Sequence, residues 1–319
     1  MRAAILDKSG AIENVRIGEI EPPQVTDGTI LVRVCAASVN PADLKVIRGK
    51  DGGGFLHAKN FPAAIGFDFS GVVEQLGANA RGRSVGDEVF GHLAYSPSTK
   101  QGSFAELVAV KPDTVGVKPP GVRHEDAAAA ATAGCTALQG LRDRGRLKTG
   151  QRVLVNGASG GVGSYAVQIA IALGADVVGT ASAAKARFVE SLGAKHVIDY
   201  RETPLSSLNE TFDVLLDAAS MSSFGEAKRL LNRGGAYVTL LPSLSLMGGM
   251  FLSLFSSKRC RFVTVQSRAA DLEQIASWIL SGALKTSVEE TFPLSDIHTA
   301  LSALDSGRVR GKLAVRIDE

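Results

Sequence analysis

The sequence predicts an α/β protein of two domains: a mostly β domain, then a doubly wound parallel-sheet domain. Three observations carry this expectation: a length of 319 residues, a change of rhythm near residue 122, and a glycine-rich turn at 157–163 between an apolar strand and a helix. The length exceeds the ~100–200 residues usual for one domain. With 45% hydrophobic residues, the chain can bury a sizeable core.

Up to about residue 120 the segments AAILD, TILVRVCAASV, DFSGVVEQLG, DEVFGH and FAELVAV carry β-branched or alternating apolar positions. Gly, Pro and Asp divide them, as in an irregular β domain, and VKPPGV at 117–122 reads as a stiff connector. From EDAAAAATAGCTALQGL onward the pattern changes. The strands RVLVNGA, DVVGTAS, HVIDY, DVLLDAAS and AYVTLL are apolar on both faces and alternate with the helices SYAVQIAIALG, AKARFVESLG and FGEAKRLL. Such alternation predicts a parallel sheet covered on both sides. The expected division is therefore 1–122, then 123–260, with 261–319 holding FVTVQS, two helices and KLAVRI, a strand that could complete either domain. LLPSLSLMGGMFLSLFSS at 240–257 is broken by Pro, Ser and Gly and reads as a loop that covers something.

Charge and cysteines narrow the function classes. The 35 basic and 32 acidic residues, net +3, are spread along the chain, which argues against nucleic acid and weakly for an anionic ligand. Cys35, Cys135 and Cys260 are far apart with no CxxC pair, so neither a disulfide framework nor a Cys-rich zinc site is expected. A reducing, cytoplasmic setting fits. No stretch has the ~18 apolar residues of a membrane span, and the start MRAAILDKSG lacks the pattern of a secretory leader, so a chain that is neither exported nor bound to a membrane is expected.

The turn GASGGVG follows the strand RVLVN and opens a helix. Its GxGxxG register is Ala158, Gly160 and Gly163, with Gly160 admitting a pyrophosphate and Gly163 allowing close helix packing. An acid for the ribose hydroxyls of NAD is expected about 20 residues further on. VVGTASAAKAR at 177–187 has none; Asp176 lies at the wrong end of the strand and Glu190 a helical turn too late. Ser182 and Lys185, with Arg187 beyond, offer donors to a 2′-phosphate, so NADPH is favoured over NADH. The competing reading makes Lys185 and Arg187 the solvated start of a helix, where cations oppose the dipole.

At this point the sequence resembles the medium-chain dehydrogenase/reductase superfamily, and within it the zinc-free quinone oxidoreductases and alkenal reductases. The matching segments are SVNPADLKVIRG, FPAAIGFDFSGVVEQLG, VGDEVFG, GSFAELVAV, AATAGCTALQGL, NGASGGVGSYAVQIA and SLGAKHVIDYRE, in order over nearly the whole chain. The resemblance implies a GroES-like substrate domain, a Rossmann nucleotide domain, a C-terminal return to the first domain, and pairing as a homodimer. It places Ser159, Gly160, Gly161 and Val162 on the pyrophosphate, Ser182 and Lys185 on the 2′-phosphate, and Tyr200 near the adenosine phosphate. Leu241, Gln266 and Ser267 would border the nicotinamide half, and Gly311 and Lys312 would reach the cofactor.

Zinc-dependent relatives hold ligands where this chain has Asn40, Phe67 and Ala129, and the four-Cys lobe is missing around 91–104, so no metal is expected. Without zinc to polarise a carbonyl, the acceptor implied is an enone, enal or quinone. Its oxygen needs donors, and Asn40 and Lys45 of NPADLK are the catalytic candidates. Asp43 reads as a brace for that turn, Cys135 as core, and Tyr95 as a residue over the substrate. Two rival functions leave the same marks: a one-electron quinone reductase and a non-enzymatic NADPH-binding redox sensor.

Overall fold

The computed structural model describes residues 1–49, 60–94 and 100–318. Tyr95, expected over the substrate, lies outside these residues. The chain forms two compact units, one of Met1–Thr132, Ser267–Ser277 and Thr286–Glu319, the other of Ala133–Gln266 and Trp278–Lys285. The division falls at Thr132, inside a helix, rather than near residue 122. The first half of that helix, α2 (His124–Leu138), is anchored in the first unit. Glu125 accepts from Arg316 at 2.8 Å, Asp126 accepts from the Thr286 hydroxyl at 2.8 Å, and the Thr132 N–H donates to Asp68 at 3.0 Å.

The first unit is built on β1 (Arg2–Leu6), β2 (Val15–Glu19), β3 (Ile30–Val39), α1 (Pro41–Arg48), β4 (Ala63–Ala64), β5 (Asp68–Leu76), β6 (Glu88–His92), β7 (Leu107–Val110) and β8 (Val115–Val117). The C-terminal part adds β15 (Val288–Pro293), α8 (Ile297–Asp305) and β16 (Lys312–Arg316). The long strand β3 organises the larger sheet. Its first half pairs with β7, its second half with β16, and its other edge with β5, all antiparallel. The periodicity explains its place: burial alternates at the start, then every residue from Val34 to Val39 is buried. KLAVRI thus completes the first unit, as β16 between β15 and β3. Phe69, Phe104, Ile47, Leu301 and Val315 meet in its core.

The second unit contains a six-stranded, wholly parallel sheet. Its strands are β9 (Arg152–Asn156), β10 (Asp176–Ala181), β11 (His196–Asp199), β12 (Phe212–Asp217), β13 (Leu231–Thr239) and β14 (Arg259–Phe262). Across the sheet the order is β11, β10, β9, β12, β13, β14, the doubly wound order that reverses direction between the first and fourth strands. The helices α3 (Gly161–Ala172), α4 (Ala183–Ser191), α5 (Phe224–Ala227) and α6 (Leu244–Leu254) connect them, and α7 (Ala269–Leu280) follows the last strand. Val153, Leu154 and Val155 are fully buried, which is why RVLVN is apolar on both faces.

A second expectation of the fold also fails. The segment at 240–257 contains the helix α6 instead of an irregular loop. The Ser243 hydroxyl caps it by accepting from the Leu246 N–H at 3.1 Å, so a serine taken as a breaker starts the helix. Gly249 marks a contact rather than a break, since a Cβ there would lie 2.8 Å from Phe224 and 3.1 Å from Cys260.

Candidate active site

In the second unit, the candidate cofactor site begins where β9 and β12 lie side by side, the place at which open α/β sheets bind ligands beyond the strand ends. A buried polar network holds these ends. Asn156 donates to Asp217 at 2.8 Å and to the Ser222 hydroxyl at 3.1 Å, and accepts from Thr180 at 2.7 Å. Tyr237 donates to Asp217 at 2.9 Å, and burial together with that carboxylate pushes its phenol upward. Sequence reading missed this network; its signal was the polar residue ending each of the apolar runs RVLVN and DVLLD.

From Asn156 the chain enters the glycine turn. Gly157 has φ +81, so it, and not position 158, makes the tight turn that the Ala in the first motif slot left unassigned. A Cβ at Gly163 would fall 2.1 Å from the Gly157 carbonyl oxygen, so only glycine lets α3 pack against the turn. At Gly160 the same test meets nothing nearer than 3.5 Å, which leaves a cradle open over Ser159, Gly160, Gly161 and Val162. The first N–H groups of α3 have no carbonyl within the helix and face this end with the positive pole of its dipole. The turn fits a pyrophosphate.

Ser182 is the N-cap residue of α4 by backbone angle, yet its side chain makes no capping bond, and it is 7% exposed. The cap is supplied from elsewhere: Asp199 at the end of β11 accepts from the Ala183 N–H at 2.8 Å and the Arg201 N–H at 2.9 Å. An acid absent from the second strand therefore arrives from the third. The tripeptide IDY held that signal, although only its tyrosine was singled out. Lys185 is half-buried in the first turn of α4, Arg187 is exposed, and Tyr200 is 49% exposed with the Arg201 guanidinium 5.9 Å from its ring centre. Leu241 lines a cavity of about 300 Å³ with Ser220, Ser222, Tyr237 and Thr239.

Several cofactor candidates have other work. The backbone of Gln266 is clamped by the Gln139 side chain, which accepts from its N–H at 3.0 Å and donates to its carbonyl at 2.7 Å. Ser267, in the first unit, donates its hydroxyl to Thr114 at 2.7 Å and accepts from the His92 N–H at 3.2 Å. Gly311 has φ +67, and a Cβ there would lie 2.4 Å from the Ser287 carbonyl oxygen, so packing explains the glycine. Lys312 requires a correction. It is buried, and its ammonium donates to the Val39 carbonyl at 3.0 Å, Asn40 Oδ1 at 2.6 Å and Asp68 at 3.4 Å, which uses all three of its protons. Nothing is left to offer a cofactor.

In the first unit, Asn40 also changes role. Its amide donates to the Ser38 carbonyl at 3.2 Å and to Asp68 at 2.9 Å, so neither proton remains for a substrate oxygen. Asn40 is instead the N-cap of α1, in a reciprocal capping box with Asp43, whose carboxylate accepts the Asn40 N–H at 2.7 Å. The fold thus confirms Asp43 as the brace of this turn. Lys45 stands differently. It is half-buried on the same helix, burial pushes its ammonium downward, and among the described residues that ammonium has no hydrogen-bond or ion-pair partner.

The zinc-ligand positions hold an engaged amide at Asn40, a core phenyl at Phe67, and a fully buried methyl at Ala129. Residues 26–121 match the alcohol dehydrogenase GroES-like domain family, and residues 192–315 match the zinc-binding dehydrogenase family. The trans-enoyl reductase pgmF of Aspergillus terreus is 33% identical over 314 residues, covering 91% of this chain and 86% of its own. The chain belongs to the medium-chain dehydrogenase/reductase family. It is an oxidoreductase of that family with a GroES-like and a Rossmann domain. The NADPH-dependent alkenal/one oxidoreductase of Arabidopsis thaliana chloroplasts is 30% identical, covering 99% of this chain and 79% of its own. Among solved structures, the quinone oxidoreductase of Coxiella burnetii superposes with a TM-score of 0.90 at 30% identity, covering 100% of this chain and 99% of its own.

Proposed function

We propose that the chain is an NADPH-dependent reductase of conjugated acceptors, α,β-unsaturated carbonyls or quinones, that works without a metal. The observation that carries this reading is Lys45, an ammonium without a described partner on a helix whose neighbouring amide is fully engaged. When bound, NADPH supplies the hydride. The glycine turn at Ser159–Val162 would hold the pyrophosphate, and Ser182 with Lys185 the 2′-phosphate. Asp199 places one negative charge at the same helix terminus, so the preference for NADPH rests on Lys185 and Arg187 outweighing it. Lys45 would hold the charge that develops on the acceptor oxygen, since hydride added at the β-carbon leaves that charge on oxygen. The zinc positions cannot take over this task, because an engaged amide, a phenyl and a methyl are not zinc ligands.

The reading extends to assembly and place. Among the described residues the strand β14 is paired on one edge alone, and the exposed apolar helix α6 lies beside it, which supports pairing of two copies there. Cys35, Cys135 and Cys260 are all buried, and none forms a disulfide among the described residues, which supports a reducing, cytoplasmic setting.

A panel of enones and quinones with NADPH and with NADH tests the activity, with Lys45→Ala alongside. The expected result is turnover with NADPH and a fall in kcat in the variant. Binding of NADPH without oxidation by any acceptor would refute it in favour of a redox sensor.

A further inference from the structure

The first unit contains a charged cluster for which cofactor binding gives no account. Asp68 and Lys312 have side chains 0% and 3% exposed and pair at 3.4 Å, and Asp43 is fully buried close by. Burying ions costs several kcal/mol each, and well-packed apolar residues often serve stability as well as a buried pair. Placement gives the cluster a different purpose. Asp68 on β5 accepts from the Asn40 amide at 2.9 Å and from the Thr132 N–H of α2 at 3.0 Å. Lys312 on β16 donates to Asn40 Oδ1 and to the Val39 carbonyl. Asn40 is therefore gripped on both ends of its amide by two strands distant in sequence, and Asn40 is the cap that starts α1. The far end of the helix is fixed as well, by the Gly10 N–H donating to the Ile47 carbonyl at 2.7 Å and by Arg48 paired with Asp305 at 2.6 Å. Between these anchors stands Lys45.

We propose that Asp68 and Lys312 are positioning residues, a two-strand clamp on the Asn40 amide that sets where α1 carries the Lys45 ammonium. The inference rests on the reading of Lys45 as the group that holds the acceptor oxygen. An error of about 1 Å in a catalytic group costs on the order of a hundredfold in rate, and charge-assisted bonds to both ends of a planar amide fix its orientation better than apolar contacts do. The cluster then gives up stability for function: its buried charges fix a direction that apolar packing would leave looser.

The test uses the full chain, NADPH, and methyl vinyl ketone and menadione as acceptors. Lys312→Met, and the charge-neutral pair Lys312→Met with Asp68→Asn, are made in the wild-type and in a Lys45→Ala background. Should the single variant fail to fold, the neutral pair, which leaves no unpaired buried ion, answers in its place. In the wild-type background kcat is expected to fall about ten- to a hundredfold, with the NADPH dissociation constant, read by fluorescence, changed less than about twofold. In the Lys45→Ala background the same changes are expected to alter kcat by less than about twofold, because their effect runs through Lys45. An equal fractional loss in both backgrounds, or an unchanged kcat with only a lower Tm, overturns the clamp. Lys45→Ala retaining wild-type kcat overturns the reading of Lys45 itself, and the route through it. A Lys45→Ala loss without a clamp effect overturns the clamp alone.

Discussion

Replacing Asp43 by Asn would change how the stability of the protein depends on pH. Asp43 is fully buried; one carboxylate oxygen accepts the Asn40 N–H, and the other meets no donor among the described residues. Burial pushes its pKa from the ordinary 3.8 up to about 8, with the Asn40 bond and Lys312 pulling the other way and Asp68 adding to the rise. A carboxyl raised in this sense favours the folded state while protonated. Its contribution is complete below about pH 4 and is lost as pH rises through about 8. The interval corresponds to on the order of 5 kcal/mol. Asn keeps the acceptor for the Asn40 N–H and has no proton to lose. Urea unfolding of both proteins at about pH 5 and about pH 8 measures the effect, and the difference between them should move by about 3–4 kcal/mol in favour of Asn over that range. Parallel pH profiles, with the difference constant to about 0.5 kcal/mol, would show that Asp43 is ionised in the folded protein and that the reasoning is wrong.

Other consequences are as direct. Ser182→Asp with Lys185→Ala should weaken NADPH by about a hundredfold, as two charge-assisted bonds are lost, and NADH far less; equal losses in titrations of the two would sink the 2′-phosphate reading. Gly163→Ala drives a methyl toward the Gly157 carbonyl oxygen and should destabilise the nucleotide unit by about 3 kcal/mol, seen as a lower urea midpoint. Asn156→Ala strips Asp217, Ser222 and Thr180 of a partner and should cost about 2–3 kcal/mol, measured the same way. Phe251→Ser with Phe255→Ser, at exposed positions on the helix proposed to pair two copies, should leave the subunit folded and shift the protein toward monomer in sedimentation, and an unchanged dimer would sink that pairing.

The parallel sheet was legible because its strands are buried on both faces, and a continuous apolar run such as RVLVN has few other places to go. The glycine turn was legible for a similar reason: Gly160 and Gly163 answer local backbone demands. The roles of Asn40 and Lys312 were not. Both sit in motifs where their chemistry points outward, and only the pairing of β16 with β3 shows that the two side chains meet across 272 residues of sequence. Asp199 escaped notice because strand order, not spacing along the chain, brings it to the start of α4. The helix α6 was hidden by its serines and glycines, whose meaning depends on the neighbours they cap or touch.

The position of β16 has a consequence for how the protein is made. Residues 312–316 lie inside the larger sheet, between β15 and β3, and not at its rim. A ribosome delivers β3 well before β16, so the sheet must wait with a gap in it while Ala133–Gln266, a continuous segment with all six of its parallel strands, is already free to fold. The second unit would mature first, and the closing event would be the insertion of one short strand whose lysine must find Asn40 and Asp68 at the same moment. Until β16 arrives, the second half of β3 presents unpaired N–H and C=O groups along one edge, the kind of edge that invites pairing with another chain.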